Sequence, residues 1–219
     1  MPLNYPASGG KDFAKCSPGL HLAICNLVAD IGLQAGSGKF PDPKRKLYLR
    51  FEVPGERIEY EKDGVTKEGP MTIGTYFTAS MNAKALLRKA LENWRGKKFT
   101  DQEAELFDVS SILGKPCQIQ VMHSDDGKYA NIANILPAPK GCKEKAENPT
   151  LFYSTEQDQQ YDKLPKWLQE KIDGQLGEAT PSTTANSTTT STNKSKSASE
   201  RAAMEPSHVP DDFADEIPF

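Results

Sequence analysis

The residue types that most often perform catalysis or hold metals are few and widely separated in this sequence. No cysteines form a C-x-x-C pair and none has a histidine at the usual ligand spacing, so the pattern predicts neither a zinc site nor a disulfide framework. No nucleophile has a recognisable base near it, although catalytic partners need not be sequence neighbours. We therefore expect no enzyme, no metal, no cofactor and reduced cysteines, with two of them, Cys25 and Cys117, in the core. The residues considered are His21, His123, His208, Cys16, Cys25, Cys117 and Cys142.

The stretch "AGSGKF" invites comparison with a phosphate-binding loop. That loop requires a glycine five residues before Gly38, where Leu33 stands, and a serine or threonine after the lysine, where Phe40 stands. The match fails at both positions. We interpret Ala35 to Lys39 as a flexible loop with a basic tip between the first two strands.

Basic and aromatic side chains are interspersed around the early strands. Single-stranded nucleic acid is bound by this mixture, because cations follow the phosphates while rings stack on bases at about 1–3 kcal/mol each. The residue types alone are equally compatible with ordinary strand tyrosines and solubilising cations. The candidate nucleic-acid-binding residues are Lys39, Phe40, Lys44, Arg45, Lys46, Tyr48, Arg50, Arg57, Tyr60 and Tyr76.

The chain ends in acidic residues that lead into an apolar tip bearing the free carboxylate. The preceding residues 174–210 are rich in serine and threonine with almost nothing to bury, which predicts a disordered linker. A terminal carboxylate and ring behind a run of acids can enter a basic-rimmed apolar pocket of a partner, although an acidic tail can also serve solubility alone. The tip consists of Asp211, Asp212, Asp215, Glu216, Ile217, Pro218 and Phe219.

This tip on its linker resembles the C-terminus of bacterial and phage single-stranded DNA-binding proteins, although "FADE" interrupts the more continuous acidic run of the cellular proteins. The body, about residues 18–141, resembles divergent phage-encoded OB-fold relatives through "TASMNAKALLRKALENWRGKKFTDQEAELFDVSSILGKPC" and "YANIANILPAPKG". The resemblance implies a non-enzymatic protein that binds single-stranded DNA in replication, recombination or repair. It also implies that the tip binds replication, recombination and repair proteins.

The distribution of charge agrees with a body and a tail of different roles. Residues 1–150 hold 21 Lys and Arg against 18 Asp and Glu, whereas residues 151–219 hold 6 against 12. Such a split suggests a body that meets a polyanion. Two other functions stay open, a strand-annealing recombination protein and an OB-fold adaptor that binds protein. The sequence also leaves open whether the protein forms a homo-oligomer.

The elements that position these residues are mostly strands. Three extended runs, a helical segment and two further strands predict a mainly β fold, a five-stranded OB barrel with the helical segment between strands 3 and 4. An SH3-like or other small barrel fits the pattern as well. The predicted organisation is an N-terminal extension 1–17, an OB domain 18–141, an extension with a short helix 142–173, a linker 174–210 and a tip 211–219.

The second strand has the clearest alternation. In "KLYLRFEV" the residues Leu47, Leu49 and Phe51 face one way, so Tyr48 and Arg50 are expected to point outward and to be exposed. Tyr48 is therefore predicted to stack on bases, and Tyr48→Ala to weaken binding without unfolding the domain.

Turns and helix ends are also predicted from local signals. Asp63-Gly64 predicts a hairpin turn, and Asn82 is predicted to cap a helix that ends at Gly96. Thr100 and Glu103 form a capping box, and the spacing in "YDKLPKWLQEKI" predicts a short helix that packs back on the body. The longest apolar stretch is too short and too polar to span a bilayer and no secretory signal is seen, so we expect a cytoplasmic protein of a bacterial cell or phage host.

Overall fold

The computed structural model describes residues 14–36, 41–62, 64–155 and 160–176, without the side chains of Glu61 and Lys62. Lys39, Phe40, most of the predicted N-terminal extension, nearly all of the linker and the whole tip lie outside the described residues. Within those ranges the protein is mainly β, with one sheet and a few short helices.

The described part contains six strands in one sheet. The order is β3-β2-β1-β4-β5 with antiparallel neighbours, and β6 pairs with β1 in parallel. Among the described residues the sheet is open, because β3 and β5 are not hydrogen-bonded neighbours. The elements are β1 Gly19–Gln34, β2 Lys44–Lys62, β3 Val65–Thr78, α1 Leu86–Arg95, α2 Asp101–Leu106, β4 Pro116–His123, β5 Ala130–Pro137, β6 Leu151–Tyr153 and α3 Lys166–Asp173, with 3-10 helices at Val109–Ile112 and Tyr161–Lys163.

β2 and β3 form a long hairpin. Lys62 pairs with Val65, and Gly64 adopts a φ of 74°, so the predicted turn is confirmed. β2 is one continuous strand that crosses a register shift between Val53 and Arg57. Such a bulge bends the strand and redirects the side chains within it.

α1 begins later than predicted. Ala85 is its N-cap residue and makes no side-chain capping bond, so the prediction that Asn82 caps this helix is wrong. The Asn82 carboxamide oxygen instead accepts a hydrogen bond from the Lys84 backbone N–H at 3.1 Å, because asparagine readily closes such local turns. The helix ends at Gly96, which has a φ of 69°, as predicted. None of the described helices combines the length and apolar character needed to span a bilayer.

Apolar residues cover both faces of the sheet. On the inner face, Phe51 packs against Trp94 of α1 with ring centroids 5.7 Å apart, and Cys25 and Cys117 lie in the same core. All four cysteines are free thiols. On the outer face, β6 and α3 form a second core, so the predicted packing of a C-terminal helix on the body is confirmed. The second core contains Leu27, Ala29, Ile31, Tyr48, Tyr153, Leu164, Leu168 and Ile172.

Candidate nucleic-acid interface

Several of the predicted binding residues lie on the outer face of β2 and β3. Cross-strand pairing sets Tyr48 opposite Tyr76 and Arg50 opposite Gly74, so their side chains are neighbours. Part of this face is covered by α3. A group of aromatic rings and an open cleft remain accessible beside the covered part.

Tyr48, Tyr76 and Trp167 form what we call the aromatic cluster. The ring centroids of Tyr48 and Tyr76 lie 4.9 Å apart, and those of Tyr48 and Trp167 lie 5.2 Å apart in an edge-to-face arrangement. Tyr76 is 44 % exposed and Trp167 is 43 % exposed. The Lys171 ammonium lies 5.5 Å from the centroid of Tyr76, within cation–π range. Two half-exposed rings beside a cation form a surface on which bases can stack.

The prediction that Tyr48 is exposed is wrong. Its strand register is as predicted, facing away from Leu47 and Leu49, but only 6 % of Tyr48 is exposed because α3 and its neighbours cover this part of the face. A Cβ atom added to Gly74 would lie 1.9 Å from the Tyr48 hydroxyl oxygen, so the tyrosine side chain runs across the glycine. Burial raises the pKa of Tyr48 to about 12. Tyr48 therefore supports the exposed rings of the cluster from below.

An open cavity, which we call the outer cleft, lies between the β2–β3 hairpin and the chain that leads into α3. Its volume of about 560 Å³ lies within the range of small-ligand pockets, roughly 300–1,000 Å³. Arg50 and Lys163 bring two cations to it, and Tyr60, which is 40 % exposed, brings an aromatic ring. The lining consists of Arg50, Ile58, Tyr60, Gly69, Pro70, Thr72, Asn148, Pro149, Leu151, Lys163, Leu164 and Pro165.

The Arg50 side chain is anchored at one end and lines the cleft. Its Nε donates a hydrogen bond to the Asn26 carboxamide oxygen at 2.9 Å, and Asn26 Nδ2 donates to the Glu52 carboxylate at 3.2 Å. Burial lowers the pKa of Arg50 from its ordinary value, although an arginine side chain stays protonated at neutral pH. Among the described residues, no hydrogen bond uses the terminal nitrogens of Arg50, so these donors can serve an anionic ligand.

The fully buried carboxylate of Glu52 holds in place the segment that contains Asn148, a lining residue of the outer cleft. It accepts hydrogen bonds from the backbone N–H groups of Glu147 and Asn148 at 2.5 and 3.0 Å, and from Asn148 Nδ2 at 2.7 Å. Bonds to a charged acceptor are stronger than those between neutral groups. This one side chain thereby joins the segment after β5 to the sheet.

Arg57 is less suited to binding phosphate than the sequence predicted. Its Nη1 donates to Glu147 at 2.6 Å and its Nε donates to Glu68 at 3.0 Å. Hydrogen bonds to Glu147 and Glu68 raise the pKa of Arg57, and the two carboxylates offset its charge.

Tyr60 lies close to Gly69, where an added Cβ atom would lie 3.0 Å from the ring.

The three basic residues at the start of β2 belong to a different part of the surface. Lys44 and Lys46 line a second cavity of about 320 Å³, and Lys46 donates to the Thr78 hydroxyl at 3.2 Å. Arg45 donates from Nε to Asp30 at 2.7 Å, a partly exposed ion pair. The structure thus separates the predicted residues that it describes into a basic strand end and the outer face.

Sequence reasoning missed three residues of this surface, namely Lys163, Trp167 and Lys171. All three come from the extension after the predicted barrel, where apolar spacing made Trp167 look like a packing residue. Lysines on either side of a tryptophan in a short amphipathic helix were the available signal, since the same pairing of cations and rings marked the early strands.

Comparison with known proteins found no relative of this chain. No family model, curated protein or solved structure matches the chain. Function is therefore inferred from the chain's own residues.

Proposed function

We propose that this protein binds single-stranded DNA along the outer face of β2 and β3. The observation that carries the proposal is the outer cleft, where Arg50, Lys163 and Tyr60 line one cavity. The half-exposed rings of the aromatic cluster lie on the same face. Cations that follow phosphates and rings that stack on bases give affinity for single strands with little preference for sequence.

We also propose that the sheet is an OB-type barrel. The order β3-β2-β1-β4-β5 leaves β3 and β5 at the two ends of the path, and their meeting would close five strands into one barrel. The helical segment lies between β3 and β4 in the chain, as in that layout. OB folds bind their ligands on the face of strands 2 and 3, the part of the sheet that carries the outer cleft.

The test of DNA binding is fluorescence anisotropy with labelled oligothymidine and with a duplex of equal length. Single strands should bind more tightly, and the logarithm of affinity should fall linearly with that of salt concentration. Lys163→Ala should reduce this slope by about one unit, whereas Lys89→Ala, which removes an exposed lysine of α1, should leave it unchanged. Equal affinity for duplex, or equal effects of both substitutions, would contradict the proposal.

We propose in addition that the C-terminal tip recruits replication, recombination or repair proteins. The proposal is supported by the terminal acidic Ile-Pro-Phe sequence and its resemblance to single-stranded DNA-binding proteins. Phe219→Ala keeps every charge but removes the ring, so partner capture from a bacterial lysate should collapse while DNA affinity is retained. Recovery of the same partner proteins by the variant would show that the tip does not act as a docking peptide.

A further inference from the structure

Three potential metal ligands, two of them five residues apart in the chain and the third from β2, meet near the start of β1. Cys16 precedes the strand, His21 lies within it, and Glu56 comes from β2. One donor atom from each of these residues lies within 4.8 Å of the other two. The side chains of His21 and Glu56 are 15 % and 26 % exposed, so an ion can reach them from solvent, whereas Cys16 is buried.

The hydrogen bond of His21 sets which ring nitrogen is available. Its Nε2 lies 2.8 Å from the backbone carbonyl oxygen of Ser17, which can only accept, so Nε2 carries the hydrogen. Nδ1 of a neutral ring then presents a lone pair toward Glu56, whose carboxylate oxygen lies 3.8 Å away. Two acceptors face each other at a distance too long for a hydrogen bond. A backbone carbonyl on the second nitrogen is one of the usual partners of a metal-bound histidine.

Glu56 is presented by the bulge of β2, between Val53 and Arg57, where the pairing register shifts. The Ser17 hydroxyl donates a hydrogen bond to the Glu56 carboxylate. Ligating carboxylates are commonly held by such a second bond. The fold thus supplies two candidate ligands that each have a supporting hydrogen bond from the segment before β1.

We propose that Cys16, His21 and Glu56 bind one Zn²⁺ ion. Sulfur, imidazole and carboxylate together suit zinc, whereas calcium and magnesium take oxygen ligands. With zinc–nitrogen and zinc–oxygen bonds of about 2.0–2.2 Å, these two atoms on one tetrahedral ion lie roughly 3.3–3.5 Å apart. The distance of 3.8 Å between His21 Nδ1 and the Glu56 carboxylate is slightly longer, so binding requires only a small movement of the side chains. The fourth position is taken by water. The sequence spacing did not predict the site because Glu56 is distant in the chain.

Zinc at this site would join the segment before β1 to both β1 and β2. Since the segment is otherwise held by the burial of Cys16 and a few hydrogen bonds, zinc stabilises the folded state by mass action. The site is independent of the proposed DNA interface, and none of its ligands lines the outer cleft.

The experiment is titration of the tag-free, metal-free full chain with Co²⁺ as a spectroscopic probe, followed by Zn²⁺. One equivalent should bind with a thiolate-to-cobalt charge-transfer band, zinc should displace it, and zinc should raise Tm. Cys16→Ser should abolish the band, while Cys142→Ser should retain it. Because Cys16 is buried, Glu56→Gln gives a milder test, with an affinity loss of at least about tenfold, against Glu59→Gln as an exposed control on the same strand.

Absence of a charge-transfer band in the unaltered chain would overturn the proposal. A band that survives in Cys16→Ser, or that is lost equally in Cys142→Ser, would overturn it as well. Unchanged cobalt affinity in Glu56→Gln would remove Glu56 from the ligand set and contradict the site as proposed.

Discussion

The inner face of the sheet is covered mainly by residues that lie between β3 and β4 in the chain, whereas the outer face is covered by residues that follow β5. On the inner face, α1 and the helical turns after it pack against the sheet in a continuous apolar core. The outer cover is smaller and leaves Tyr76, Trp167 and the outer cleft accessible. Burial on the inner face therefore serves stability, whereas the partial cover on the outer face leaves accessible the surface that we propose binds DNA.

The outer cover also depends more on polar contacts. Glu52 is fully buried and accepts four hydrogen bonds, three of which come from the segment at Glu147 and Asn148. That segment leads into β6 and, further along, α3, which carries Trp167 and Lys171. A small number of hydrogen bonds thus positions residues that come from outside the predicted barrel.

The largest effect is expected from an inner-face substitution. Phe51→Ala removes a fully buried ring that packs on Trp94 and should lower the free energy of unfolding by about 3–5 kcal/mol. Urea denaturation measures this loss. Leu168→Ala, in the outer core, is the matched comparison, and hydrogen exchange should show that it releases mainly α3. Equal loss of protection across the whole sheet in both variants would contradict the contrast between the faces.

A smaller effect is expected from the polar contacts of the outer face. Glu52→Ala leaves the N–H groups of Glu147 and Asn148 without their acceptor and should cost about 2–4 kcal/mol. Hydrogen exchange should show the loss concentrated in residues 147–153. An unchanged exchange rate there would mean that the segment is held by other contacts.

The smallest change in stability is expected when Tyr48, in the outer core, ionises at alkaline pH. Burial raises the pKa of Tyr48 in the folded protein to about 12, above the unfolded value of about 10. The neutral side chain therefore stabilises the fold fully below pH 10, and this contribution is lost as pH rises toward 12. Tyr48→Phe should reduce the alkaline fall in the urea midpoint, with Tyr129→Phe, an exposed tyrosine, as control. If the urea midpoint falls equally at alkaline pH in both variants, ionisation of Tyr48 is not the cause of the fall.

Features fixed by neighbouring residues could be predicted from the sequence. The alternation of β2, the turn at Gly64 and the capping box of Thr100 with Glu103 each depend on a few adjacent residues, and the structure has all three. The prediction that Asn82 caps α1 failed because the helix begins only at Leu86, and the Asn82 carboxamide oxygen closes a local turn with the Lys84 N–H instead.

The solvent exposure of the candidate side chains could not be predicted from neighbouring residues. Strand alternation correctly separates Tyr48 from Leu49, but it cannot show that α3 returns to cover the outer face. The anchoring of Arg50 by Asn26 and the pairing of Arg57 with Glu147 also join residues far apart in the chain. Candidate residues were therefore found by type, while their availability to a ligand depends on tertiary contacts.

Tryptophan fluorescence gives the most direct test of the proposed DNA interface. The chain has two tryptophans: Trp94 is buried and donates to the Pro116 carbonyl oxygen at 3.0 Å, whereas Trp167 is half-exposed and packs edge-to-face on Tyr48. Titration with oligothymidine should quench the emission of the unaltered chain and leave that of Trp167→Phe nearly unchanged, although the variant still binds in anisotropy. Equal quenching in both proteins, or tight binding without any change at Trp167, would place the DNA away from the outer face and contradict the account.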